Sequence, residues 1–134
     1  MRHRVYGKKL GRTRNARIAL FRNLVQSLLI SESIETTETK AKAIKGLVDK
    51  LINQAKTPAT RRLVSQFLTN KTFAERLVKD IAPRLKDRSS GYTSIVKVGR
   101  RLGDCSMVVR MSLLVTPPEE KKTKPAKTTK GSTK

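Results

Sequence analysis

The sequence predicts an α+β domain with its elements in the order α-β-α-α-α-β-β, led by a basic extended arm. Three observations carry that prediction. Apolar residues recur at three- and four-residue spacing through most of the stretch from Ile18 to Ile81, the mark of helices that bury one face. Two later stretches, Tyr92 to Val98 and Met107 to Val115, alternate in the manner of strands. Ahead of them all, Met1 to Arg14 shows no apolar periodicity, and no carboxylate appears before Glu32.

The arm carries Arg2, His3, Arg4, Lys8, Lys9, Arg12 and Arg14, punctuated by Gly7 and Gly11. It cannot bury enough apolar surface to hold one shape alone. A polyanion would order it, because each cation that meets a phosphate releases a condensed counterion. A solvated tail and an organellar presequence are the alternatives. The presequence reading is weakened because the arm runs straight into a core helix, Asn15 to Ile30. Ile18, Phe21, Leu24, Val25, Leu28 and Leu29 share a face of that helix, with Arg17 and Arg22 off its centre and Asn15 as the expected N-cap.

A short strand centred on Ile34 (Glu32 to Thr36) follows. Thr37 then caps a second helix, with Glu38 at its positive end and a stripe of Ala41, Ile44, Val48, Leu51, Ile52 and Ala55. Gly46 inside this helix costs up to ~1 kcal/mol relative to Ala, and a close approach by a neighbouring element would account for it. Thr57 and Pro58 start a third helix with Leu63, Val64, Phe67 and Leu68 inward. Thr72 to Glu75 has capping-box spacing and opens a fourth, with Leu77, Val78 and Ile81 inward and Pro83 as its stop. Between the two late strands, Gly99 to Ser106 reads as a hairpin displaying Arg100 and Arg101, with Cys105 a small loop residue. Beyond Thr116, lysines and prolines with hardly an apolar residue predict a disordered tail. The expected division is an arm at 1–14, one domain at 15–115 and a tail at 116–134.

Composition bounds the function. Lys and Arg number 31 against 10 Asp and Glu, a formal charge of +21. A charge that large opposes compaction and points to an anionic partner. No stretch approaches the ~20 apolar residues of a membrane span, so no membrane partner is expected. One cysteine, Cys105, and one histidine, His3, cannot make a disulfide framework or a four-ligand zinc site. No Ser or Cys has a histidine spaced as its base. The expectation is a protein that is not an enzyme, with no catalytic residues, metal, cofactor or small-molecule substrate. Glu32, Glu35 and Glu38 come nearest to a carboxylate cluster and read as solvated positions. There is no Trp, and Tyr6, Phe21, Phe67, Phe73 and Tyr92 are too few for a base-stacking platform of the RRM, cold-shock or OB type. A helix-turn-helix is the rival, with the fourth helix reading DNA. Its outward residues, Glu75, Arg76, Lys79 and Asp80, are half acidic and would repel phosphates.

Short motifs then fall into a recognisable order. Met1, Arg2, His3 and Arg4 open the chain; Leu10-Gly11-Arg12, Arg17 and Arg22-Asn23-Leu24 follow. Thr36-Thr37-Glu38-Thr39-Lys40-Ala41-Lys42 comes next, then Leu51-Ile52, Ala55-Lys56, Arg61-Arg62 and Pro83-Arg84. Gly91-Tyr92-Thr93, Ile95, Lys97, Arg101 and Gly103-Asp104 complete the set. In this order and spacing the chain resembles the L-seventeen family of bacterial and organellar large-subunit ribosomal proteins, from Met1 to Leu114. It departs where Asn15-Ala16 stands for the family's Ser-His, where Ser90 and Ser94 stand for Gly and Arg, and where Ser112-Leu113-Leu114 stands for Glu-Leu-Val. Arg100 and Arg110 are basic at positions commonly not basic, a compensation for Ser94.

The resemblance implies a two-layer α/β sandwich, with helices packed on a small mixed three-stranded sheet. It also implies a structural constituent of the large ribosomal subunit that binds rRNA near the polypeptide exit tunnel and supports assembly and translation. The twenty-second and thirty-second large-subunit proteins would be its neighbours, and no homo-oligomer is expected. The expected rRNA contacts are two patches held apart by the helical layer. One is the arm through Arg17, continued by Arg22; the other is the hairpin tip, Arg100 and Arg101, with Lys86, Arg88, Tyr92 and Lys97. The matched motifs add Asn23, Lys40, Arg61, Arg62 and Thr93. A start without an added presequence favours a bacterial cytoplasm over an organellar matrix or stroma.

Overall fold

The structure is a computed structural model that describes residues 7–115. Arg2, His3 and Arg4 of the arm, and the whole tail at 116–134, lie outside the described residues. From Gly7 to Thr13 the chain makes neither helix nor strand. Its one turn is closed by Arg12 N–H donating to the Lys9 carbonyl at 3.2 Å. Leu10 and Gly11 both have positive φ (55° and 61°), the sign pattern of a type I′ turn, which Gly11 meets freely and Leu10 under strain.

Helix α1 (Arg14–Ser31) begins one residue before the expected start, and its N-cap is Thr13 rather than Asn15. Val25, Leu28 and Leu29 are buried, whereas Ile18 near the other end remains 36% exposed. Glu32 ends the helix in the left-handed region (φ 56°), its N–H donating to the Leu28 carbonyl. The chain turns there into β1 (Ser33–Thr37). The corner is locked by Arg84, which donates from both terminal nitrogens to the Glu32 carboxylate at 2.7 and 3.4 Å.

Thr37 stands at the N-cap position of α2 (Glu38–Lys56) without a side-chain hydrogen bond to the helix N–H groups, and the predicted stripe is buried in full: Ala41, Ile44, Val48, Leu51, Ile52 and Ala55 are all at most 3% exposed. Fully burying an aliphatic side chain of Val, Ile or Leu size is worth roughly 1.5–3 kcal/mol, which makes α2 the main anchor. A 3₁₀ turn (Pro58–Thr60) leads into α3 (Arg61–Phe67), which buries Val64, with Leu68 buried just past its end. Leu63, predicted inward, is 38% exposed. Helix α4 (Lys71–Arg76) is capped by Asn70, whose side chain accepts from Thr72 N–H; the capping box expected at Thr72 gives way to this cap two residues earlier. A π turn (Leu77–Ile81) and a last α turn (Ala82–Arg84) extend the path, so Pro83 sits inside the final turn. The wider turn brings Leu77, Ile81, Ala82 and Leu85 to the core together.

Strands β2 (Thr93–Arg100) and β3 (Met107–Leu113) form the C-terminal hairpin. The sheet order is β1-β3-β2 with both pairings antiparallel, so the sheet is antiparallel and not mixed. The late hairpin lays β3 against β1 and thereby places the two parallel strands, β1 and β2, on opposite edges. Ile34, Met111 and Ile95 align across the inner face, which packs on the helices; Glu35, Arg110 and Val96 align across the outer face. A bulge between Lys97 and Gly99 interrupts the β2–β3 register.

Among the described residues nothing lies within 4 Å of a Cβ added at Gly46, so none of them makes the close approach expected there. Its backbone is ordinary helix. Gly46→Ala should raise stability by up to about 1 kcal/mol, read as an increased urea midpoint at unchanged slope.

Candidate nucleic-acid interface

Among the described residues the carboxylates are largely engaged by the protein itself. Five of them hold ion pairs: Glu32 with Arg84 (2.7 Å), Glu35 with Arg110 (2.7 Å), Glu38 with Lys42 (2.6 Å), Glu75 with Lys79 (2.8 Å) and Asp104 with Arg101 (2.5 Å). Asp49 accepts from Tyr92 N–H at 3.2 Å. Glu32, Glu35 and Glu38 therefore each serve a different base, and no group of three His, Cys, Asp or Glu among the described residues is placed to hold a metal. The Glu75–Lys79 pair also occupies the face that a helix-turn-helix would turn toward DNA.

Of the predicted rRNA contacts, Lys8, Lys9, Arg12, Arg14, Asn23, Arg62, Lys86, Arg88, Lys97 and Arg100 are exposed. Arg17, Arg22 and Lys40 are half-buried. Arg61 is exposed yet partly committed, its Nε donating to the Ala55 carbonyl at 3.2 Å near the end of α2. Arg101 is exposed as expected but already paired within the protein. Its guanidinium grips Asp104 through Nε (3.0 Å) and Nη2 (2.5 Å), while Ser106 donates its hydroxyl to the same carboxylate at 2.8 Å. The tip is a closed ring of hydrogen bonds, and only Arg100 of the pair lacks an ion-pair partner there.

Tyr92 and Thr93 are corrections too. Tyr92 is fully buried, so it has no face to offer a base. Gly91 (φ 68°) turns the chain into the sheet just before it. The Tyr92 hydroxyl donates to Asn53 Oδ1, accepts from Lys56 Nζ (2.8 Å) and lies 3.1 Å from the Arg88 carbonyl, to which Lys56 also donates. Tyr92 thus positions the loop that carries Lys86 and Arg88. Thr93 is 6% exposed and directed inward opposite Leu113, its hydroxyl buried without a partner. Half-buried strand ends hide this in sequence, since a buried and a displayed tyrosine leave the same alternation.

The Glu38 carboxyl is held below its ordinary range first by the hydrogen bond and charge of Lys42, then by the charges of Lys97 and Lys8. Lys97 of the hairpin and Lys8 of the arm thus both lie near enough for their charges to act on Glu38 at the start of α2. Lys50 and Lys56 stand outside the set of expected rRNA contacts. Lys50, with Arg22, borders a groove between α1, α2 and α3.

Exposed cations on a small α+β fold define the class: a small basic α+β protein. Residues 20–114 match the family model described as ribosomal protein L17, and the chain belongs to that family. The family is a structural, non-enzymatic component of ribosomes. Large ribosomal subunit protein bL17 of Trichlorobacter lovleyi is 43% identical over 116 residues, covering 85% of this chain and 94% of the relative. The protein of the same name from Geobacter sulfurreducens is 41% identical over 131 residues, covering 96% and 74%. That of Anaeromyxobacter sp. strain K is 48% identical over 106 residues, covering 78% and 67%.

Tyr92→Phe should lower stability by about 1–3 kcal/mol in urea denaturation, because Asn53 and Lys56 lose a buried partner. At the tip, hydrogen bonds from Arg101 and then Ser106 hold the Asp104 carboxyl far below its usual 3.8. A depressed folded value means this contribution to stability is present above the unfolded value and lost as pH falls through the folded one. The Ser106 amide resonance should therefore keep its native position just below pH 3.8 and move only in stronger acid. In Asp104→Asn it should be displaced already at neutral pH.

Proposed function

We propose that this protein binds and stabilises large-subunit rRNA near the polypeptide exit tunnel, and thereby supports subunit assembly and translation in a bacterial cytoplasm. The observation that carries this is the asymmetry of charge. Carboxylates are turned onto the protein's own bases, while the cations of the arm, of the α2 start and of the β2 end are left outward. Lys8 of the arm and Lys97 of the hairpin, whose charges both reach Glu38, act on one hold, and Lys86 and Arg88 form another on the loop that Tyr92 positions. The arm ahead of α1, from Arg2 to Thr13, is the part that takes its final shape as phosphates are met, while Arg14 and Arg17 already stand on the first turn of α1. Neighbouring proteins, the twenty-second and thirty-second of the subunit, take the outer sheet face, where Glu35 neutralises Arg110 beside Ser94 and Ser112.

Binding of the purified chain to a large-subunit rRNA transcript tests the reading. Neutralising about eight phosphates gives a log–log salt slope of roughly −6 to −7; a slope shallower than about −3 contradicts it. Deleting Met1 to Arg14 should abolish incorporation into subunits on sucrose gradients. A sequence preference for duplex DNA that survives the deletion would favour the helix-turn-helix instead.

A further inference from the structure

Ile18, Leu63 and Phe67 follow the inward periodicity of α1 and α3, yet the structure leaves Ile18 36% and Leu63 38% exposed. With Leu47 and Leu51 of α2 they line an open groove of about 370 Å³. Its remaining walls are Arg22, Lys50, Gln54 and Gln66, and among the described residues no carboxylate lines it. The Arg22 guanidinium lies 5.8 Å from the centre of the Phe67 ring, and Arg22 Nε is buried with no hydrogen-bond partner. Arg14, one turn before Ile18, and Arg62, next to Leu63, are exposed.

We propose that this groove receives one unpaired base of the rRNA. The inference rests on the rRNA reading above and adds a contact that charge alone does not give. An apolar cleft bordered only by cations and amides suits a ligand that is flat and apolar in the middle and anionic at its ends; a nucleotide has that distribution. The base lies among Leu47, Leu63 and Phe67, stacking being the contact that any base can make. Its edge meets the amides of Gln54 and Gln66, which offer both donors and acceptors. Its flanking phosphates face Arg22 and Lys50, the two cations on the groove wall. An apolar side chain from a basic protein neighbour would fill the cleft but bring like charge to its rim.

Leu63→Lys and Ile18→Lys separate the possibilities, since both positions are part-exposed and both substitutions add positive charge. If the surface works by charge alone, each variant binds the rRNA transcript as tightly as the wild type or more so. If a base enters, each binds about 5- to 150-fold more weakly, and one unpaired nucleotide protected from chemical probing by the wild type becomes reactive. Circular dichroism melts check that the variants fold. Should neither fold, a photo-crosslinking residue in place of Leu63 in assembled large subunits decides: a crosslink to an rRNA base supports the proposal. A crosslink to protein, no crosslink, or unweakened binding by the folded variants overturns it. Failure of the wild type to bind the transcript at all would defeat the broader reading instead.

Discussion

Burial of one face of α2 is the constraint on which the other elements depend. Through Ala41, Ile44, Val48, Leu51, Ile52 and Ala55 it joins one core with α1, the sheet and the helices that follow. The same helix supplies Asp49, Asn53 and Lys56 to the Tyr92 network, so core packing and the placing of the basic loop share one scaffold. A residue lost from the stripe would be felt at every neighbour, because interiors packed to crystal density relax only in part.

A chain of formal charge +21 must still fold before or while it meets its counter-charge. Local carboxylates ease that repulsion where the chain changes direction: Glu32 with Arg84 at the end of α1, Asp104 with Arg101 at the hairpin tip, Glu38 with Lys42 at the start of α2. Isolated pairs at a surface add little to stability. Their larger effect is selection, because they fix which cations stay with the protein and which face outward.

Much of this was legible beforehand. The stripe of α2 is continuous and its cap unambiguous, so its bounds could be read from spacing and Thr37 alone. Strand direction could not be: Ile34 and Met111 pair only after the last hairpin returns, and periodicity carries no information on partners. The cationic residues were found by charge, but commitment was not. Arg101 differs from Arg100 only through Asp104, three residues on, and Tyr92 is hidden by residues some forty positions away on α2. Ile18 and Leu63 show the limit of the helical pattern, which marks a face without saying how much of it a neighbour covers.

The bulge between Lys97 and Gly99 has a consequence for copies of this chain that have not yet found their place in a larger particle. Strand β2 lies on an open border of the sheet, with Val96 and Val98 more than half exposed. A straight run of unpaired backbone groups there would let a second molecule zip alongside. The extra residue twists that border and a lysine sits within it, so such pairing is cut short after a few rungs. The kink thus keeps a sticky ribbon from spreading into fibrous or clumped material.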